Sequence, residues 1–92
     1  MNVQFLINCG QMMGTTVNKK YPATTDFLYI RNFLSQYYKL KKREALVLKY
    51  RHSLNDPFTI IDDLSKGIDY YGIKTGSQVS VEYANFGEDE LF

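Results

Sequence analysis

The chain has one histidine, His52, and one cysteine, Cys9, the side chains best suited to general acid–base or nucleophilic work near neutral pH. Ser53 and Asp56 follow His52 closely and supply the other residue types of an acyl-transfer triad. A triad, however, needs groups converging from separate positioned elements, and neighbours in one polar loop converge only by chance. No glycine-rich phosphate loop, paired-acid motif or metal-spaced ligand set accompanies them. Cys9 stands in an alternating apolar pattern with no basic group beside it to lower its pKa, so it reads as a small strand residue. The expectation is no catalytic residue, no metal, no cofactor and no small-molecule substrate. A single thiol also makes no internal disulfide, which fits a reducing intracellular compartment, cytoplasmic or nuclear first, with an organelle still open.

Residues suited to binding are more numerous. Tyr29, Phe33 and Tyr37 recur every four positions, which on a helix makes an aromatic row. It runs beside a second row, Phe27, Ile30 and Leu34. Such a row either shields the edge of a core or anchors an interface. Lys39, Lys41, Lys42 and Arg43 follow, next to Tyr37 and Tyr38. Positive charge with aromatic rings can hold single-stranded RNA, but a solvated helix end beside exposed carbonyls is the preferred reading. The last residues, 85–92, mix Glu88, Asp89 and Glu90 with Phe86, Leu91 and Phe92. They form an acidic, partly apolar tail that suits a basic groove or frays in water.

Charge is unevenly spread. Residues 1–51 carry nine Lys/Arg against Asp26 and Glu44, a net +7, while residues 52–92 carry Lys66 and Lys74 against eight acids, a net −6. The dipole can orient a partner during encounter, and it argues against a protein uniformly devoted to nucleic acid. Ninety-two residues at 45% hydrophobic content suffice for one core and are too few for two. The N-terminus opens directly on a strand pattern without the charged and apolar regions of a signal peptide, and no apolar run approaches the roughly 18 residues of a membrane helix. Membrane insertion is not expected.

The positioning elements follow from periodicity. Val3, Phe5, Ile7 and Cys9 alternate with polar neighbours and predict a strand over 2–9. Gly10 to Gly14 punctuate a turn, and Thr15 to Tyr21 resume an extended pattern that Pro22 ends. Thr24, Thr25 and Asp26 offer capping oxygens for a helix over about 25–38, after which Leu40 folds back onto the core. Leu46 to Tyr50 reads as a third strand and Phe58 to Ile61 as a short fourth. Asp62 to Lys66 reads as a turn or short helix, and Val79 to Tyr83 as the last strand after the turn residues Gly76 and Ser77. The order is β-β-α-β-β-β, an α+β arrangement. Residues 1–84 form the domain and residues 85–92 the tail.

On these residues the chain resembles the ubiquitin-like domains of the β-grasp fold, a mixed sheet with one helix packed across it. The spacing from Gly14 to Leu34 matches ubiquitin without a gap. Ile68-Asp69-Tyr70-Tyr71-Gly72-Ile73 is similar to the family's Leu-x-x-Tyr-x-Ile segment, in which the Tyr hydroxyl ties down a backbone group of the preceding loop. A narrower likeness points to the ubiquitin-like domains of tubulin-folding cofactors and of a small minor-spliceosome protein. The resemblance implies a receptor-binding face formed by the third strand, the last strand and the first hairpin. Val47 and Met12 or Met13 fall there, with Ser80 and Glu82 making the face more polar and acidic than ubiquitin's. Conjugated relatives end in Gly-Gly, whereas this chain continues Ala84-Asn85-Phe86-Gly87, so conjugation is not expected. The reading is a non-catalytic adaptor or small subunit whose partners are other proteins. A tubulin-cofactor-type chaperone module and an RNA-associated splicing-type protein are the alternatives.

Overall fold

The computed structural model describes residues 1–10 and 13–84. Among the described residues, five strands and one α-helix form the fold: β1 (Asn2–Ile7), β2 (Thr15–Lys20), α1 (Phe27–Tyr37), β3 (Leu46–Arg51), β4 (Thr59–Ile60) and β5 (Gln78–Tyr83). Short 3-10 turns at Arg43–Ala45 and Asp69–Tyr71 precede β3 and β5. The sheet runs β2-β1-β5-β3-β4, with β1 and β5 parallel and every other pair antiparallel. This is the β-grasp arrangement expected from the element order.

Alternation in β1 does what its pattern requires. Val3, Phe5, Ile7 and Cys9 are buried under α1, and Val79, Val81, Leu46 and Leu48 continue that apolar face across β5 and β3. Phe27, Ile30 and Leu34 close down on them from the helix, while Leu40, Ile61, Ile68 and Ile73 fill the ends. β1 ends at Ile7 and not at residue 9, because Gly10 turns the chain in the left-handed region (φ +61°). Cys9 is nonetheless buried.

The helix is shorter at both ends than the expected 25–38. Asp26, not a threonine, is the cap: its Oδ1 accepts a 2.7 Å hydrogen bond from the Tyr29 amide. At the other end the Leu40 amide reaches back to the Ser35 carbonyl at 2.7 Å while Lys39 takes a left-handed conformation (φ 55°). That is a Schellman closure with lysine where glycine is usual. The last carbonyls are therefore satisfied by backbone, and no basic side chain sits in the final turn. The basic cluster was expected to complement those carbonyls; it lies beyond the helix instead.

The segment around Tyr71 behaves as its resemblance implied. The Tyr71 hydroxyl accepts from the Asp63 amide at 3.0 Å and donates to the Asp63 carbonyl at 2.9 Å, which fixes the loop after β4. That loop is a turn and not a helix, held by Asp63 Oδ1 accepting from the Ser65 amide and hydroxyl. The Ser65 hydroxyl, then its amide, keeps the Asp63 carboxyl below the usual range. Tyr21 presents the opposite case. Its hydroxyl is buried without a hydrogen-bond partner, and burial, followed by the neighbouring Tyr29 and Tyr38, pushes its pKa up.

The two tyrosines give opposite expectations for one chemical change. Tyr71→Phe leaves Asp63 backbone groups without their partner and should lower unfolding free energy by about 1 kcal/mol, whereas Tyr21→Phe removes an unpaired buried hydroxyl and should raise it by about 1 kcal/mol. Urea titrations of both variants measure this, and a loss in Tyr21→Phe would contradict it.

Cys9 yields a second expectation. Burial, then the Glu82 charge, pushes its thiol up to about 11 from 9.0. Below pH 9 the thiol is protonated in both states; between 9 and 11 only the unfolded chain ionises, so its contribution to stability falls as pH rises through that window. Denaturation across pH 8–11 should show a decline that is shallower in Cys9→Ala. The native thiol should also resist alkylation at pH 8 until the chain unfolds, and rapid native alkylation would contradict the burial.

Candidate protein-interaction site

The side chains that might have formed a catalytic set do not converge. His52, Ser53 and Asp56 lie exposed in the loop after β3, where the Asp56 amide bonds the Ser53 carbonyl and the His52 ring packs near Tyr50 at 5.4 Å. No hydrogen bond joins their side chains. Among the described residues no group of three or more His, Cys, Asp or Glu is placed to hold a metal ion. No helix there is long and apolar enough to cross a membrane.

The outer face of the sheet, turned away from α1, was the expected receptor-binding face. Val47 does point there, half-buried, with the exposed Ile60 on β4 beside it, and Met13 is exposed in the β1–β2 turn. Met12 lies outside the described residues. The rest of the face differs from the expectation. Ser80 is buried at 1% exposure, and Glu82 is no lone acid: Lys49 Nζ lies 2.6 Å from its carboxylate. Two hydrogen-bonded chains cross the strands. In one, Asn8 Nδ2 donates to Ser80 Oγ at 3.2 Å, and Ser80 Oγ donates to Glu82 at 3.2 Å. In the other, Arg51 Nε donates to Gln78 Oε1 at 2.8 Å while the Gln78 amide donates to Gln4 Oε1. The centre of this face thus spends its donors and acceptors on itself. At its β4 side lies a shallow 390 Å³ depression lined by Val47, Ile60, Tyr83, Ala84 and the Lys49–Glu82 pair.

The helix flank facing β2 is built otherwise. Tyr29, Phe33 and Tyr37 form one column of near-parallel rings, with centroids 6.3 and 5.7 Å apart at interplanar angles of 21° and 16°. Tyr29 is 56% exposed and Tyr37 61%, while Phe33 is half-buried and packs against the core. Tyr21 meets Tyr29 edge-on at 6.5 Å, and Tyr38 meets Tyr37 at 4.9 Å. Shielding and exposure therefore divide within the row: Phe33 closes the core's edge, and Tyr29 and Tyr37 remain largely in water.

Lys19 completes this flank and was not anticipated. Its ammonium lies 4.6 Å from the Tyr37 ring centroid, 5.7 Å from Phe33 and 5.9 Å from Tyr38. The signal was present in β2, where Thr15, Val17, Lys19 and Tyr21 share one strand parity and thus the face toward the helix. Of the basic cluster, Lys39, Lys41, Lys42 and Arg43 are exposed just beyond the helix; Lys42 is held left-handed (φ 52°), and Arg43 contacts Glu44 at 3.6 Å. The Lys41 carbonyl accepts from the Tyr83 hydroxyl at 2.7 Å, so this loop is tied to the end of β5. Phe86, Leu91 and Phe92 lie outside the described residues.

No protein-family model matches the chain, and no curated protein matches it by sequence. Solved structures do resemble it. The C-terminal ubiquitin-like domain of mouse tubulin-specific chaperone e superposes with a TM-score of 0.73 at 16% identity, covering 94% of this chain and 90% of that one. A ubiquitin-like domain from tubulin-binding cofactor B gives 0.70 at 14% identity over 89% and 87%. Tubulin-binding cofactor B of Trypanosoma brucei gives 0.66 at 12% identity over 94% and 96%. At these identities the likeness is one of fold, and it carries the same conclusion as the strand order and the Tyr71 tie: the chain has the ubiquitin-like β-grasp fold, similar to that of the ubiquitin-like domains of tubulin cofactors.

Proposed function

We propose that this chain is a non-catalytic, non-conjugated ubiquitin-like module, an intracellular adaptor or small structural subunit that keeps its place in a protein assembly through the β2-facing flank of α1. The observation that carries this reading is the stacked row of Tyr29, Phe33 and Tyr37, two of whose three rings are more than half exposed. Rigid aromatic rings that remain accessible side by side on a helix flank are favoured interface anchors. The non-conjugated part of the reading is supported by residues 84–92, which follow β5 and contain no Gly-Gly pair. Against the outer sheet face as the main binding surface stands its internal pairing: a partner there would have to strip Glu82 from Lys49 and replace both.

A second reading, a module of the tubulin-cofactor chaperone type, is favoured by the fold similarity to cofactors e and B. It shares the same surface question and differs in the partner. The RNA-associated alternative rests on Lys41, Lys42 and Arg43 and requires an affinity that falls steeply with salt.

Affinity purification of the tagged chain from its native cells tests the main reading. Wild-type protein should co-elute with defined subunits on a sizing column. The Tyr29→Ala/Tyr37→Ala double variant should lose at least tenfold of that recovery while its melting temperature stays within a few degrees, since both rings are largely exposed. Ile60→Ala on the outer face should recover partners as wild type does. A purely monomeric protein, or loss with Ile60→Ala alone, would overturn it.

A further inference from the structure

Resting on the reading that the α1 flank is an interaction surface, we propose that its partner presents an acidic amphipathic helix, whose apolar side chains lie along Tyr29, Phe33 and Tyr37 and whose carboxylate takes the Lys19 ammonium. The ring spacing comes first. Centroids at 6.3 and 5.7 Å repeat at the rise of one helical turn plus a fraction, which is the spacing at which a second helix offers side chains i, i+4 and i+8. The flank is also shaped for side chains and not for a small molecule. Two depressions on it, 280 Å³ beside Phe33, Gln36 and Tyr37 and 540 Å³ between Lys20, Pro22, Asp26 and Tyr29, are open and shallow.

Charge selects the sign of the partner. Lys19 sits on the helix side of an edge strand, half-buried over three rings, and no carboxylate among the described residues lies within ion-pair distance of it. The rings stabilise the cation by their quadrupoles but leave its remaining N–H groups to water. A carboxylate arriving with apolar surface around it would meet a partly desolvated ammonium, where a charge-assisted hydrogen bond is stronger than in open solvent. The Lys39 to Arg43 cluster beyond the same helix, in the half of the chain that carries a net +7, extends the attraction to longer range. Single-stranded RNA is the less suited occupant. Bases need open ring faces, whereas here the rings lie nearly parallel along the column and Lys19 occupies the region over Tyr37.

Lys19 has a competing explanation as an inward-pointing charge that keeps edge strand β2 from pairing with other chains. The two roles separate in a binding experiment. The probe is a 16-residue helical peptide with Leu at i, i+4 and i+8 and Glu on the adjoining positions, titrated into the ¹⁵N-labelled full chain beside a version with Gln for every Glu. The Glu peptide should shift amide signals of Lys19, Tyr29, Phe33, Gln36 and Tyr37 and bind at least fivefold more tightly than the Gln peptide. Lys19→Gln should remove that fivefold preference, and Lys19→Arg, which keeps the charge, should preserve most of it. Equal binding of the two peptides, an undiminished preference in a folded Lys19→Gln, shifts confined to Val47 and Ile60, or tighter binding of a 12-nucleotide oligouridine each overturns the proposal. Failure here with a partner still recovered through Tyr29 and Tyr37 would sink the acidic-helix assignment alone; loss of that recovery effect would sink the surface as well.

Discussion

One eleven-residue helix has to cover the apolar face of a five-stranded sheet, and the arrangement of the molecule follows from that mismatch. At 1.5 Å per residue α1 is about 16 Å long, while five strands spaced about 4.8 Å apart span about 19 Å before side chains are counted. The centre is sealed by Phe27, Ile30 and Leu34 over β1, β5 and β3. The flanks are sealed by other means. On the β3–β4 side, Ile61, Ile68, Ile73 and the Tyr71-tied loop supply the cover. On the β2 side the cover is aromatic: Tyr21, Phe33 and Tyr38 pack against the core, and Lys19 lies over the rings.

That division explains why the two faces of the domain differ in character. The outer sheet face has no layer above it, so its polar side chains satisfy one another across strands, from Asn8 through Ser80 and Glu82 to Lys49, and from Gln4 through Gln78 to Arg51. Groups already hydrogen-bonded to one another gain less from a new partner than groups that are not. The helix flank keeps exposed ring surface and a cation lacking a carboxylate within ion-pair distance among the described residues. Binding energy is more readily found where groups are unspent, which is the reason for proposing the helix flank, and not the sheet, as the binding surface.

Much of this was legible in the sequence because it depends on local periodicity. The two-residue alternation of Val3, Phe5, Ile7 and Cys9 and the helical spacing of Phe27, Ile30 and Leu34 name the core directly, and Tyr71 falls where its hydroxyl can hold the Asp63 loop. What was not legible depends on register between distant segments. Gln4 and Gln78 are 74 residues apart, and nothing local tells that their amides meet. The Lys49–Glu82 pair, which neutralises the acid expected to mark this face, arises because Val47 pairs with Glu82 and Lys49 with Ser80 across β3 and β5. The helix end misled for a different reason: its carbonyls are closed by Lys39 in a conformation usually left to glycine, so the charged residues beyond it were credited with work the backbone does. Lys19 escaped because a lysine on the inward parity of an edge strand breaks the apolar pattern that marks a core position.

The central claim is that partners meet this domain on the helix flank and leave the outer sheet face alone. Amide hydrogen exchange of the chain within its native assembly, compared with the free chain, tests it most directly. The account predicts added protection in Phe33–Tyr37 and in β2 around Lys19, with β3 and β5 around Val47 and Glu82 unchanged. Protection gained at Val47, Ile60 and Glu82 with the helix flank exchanging as in the free chain would contradict it.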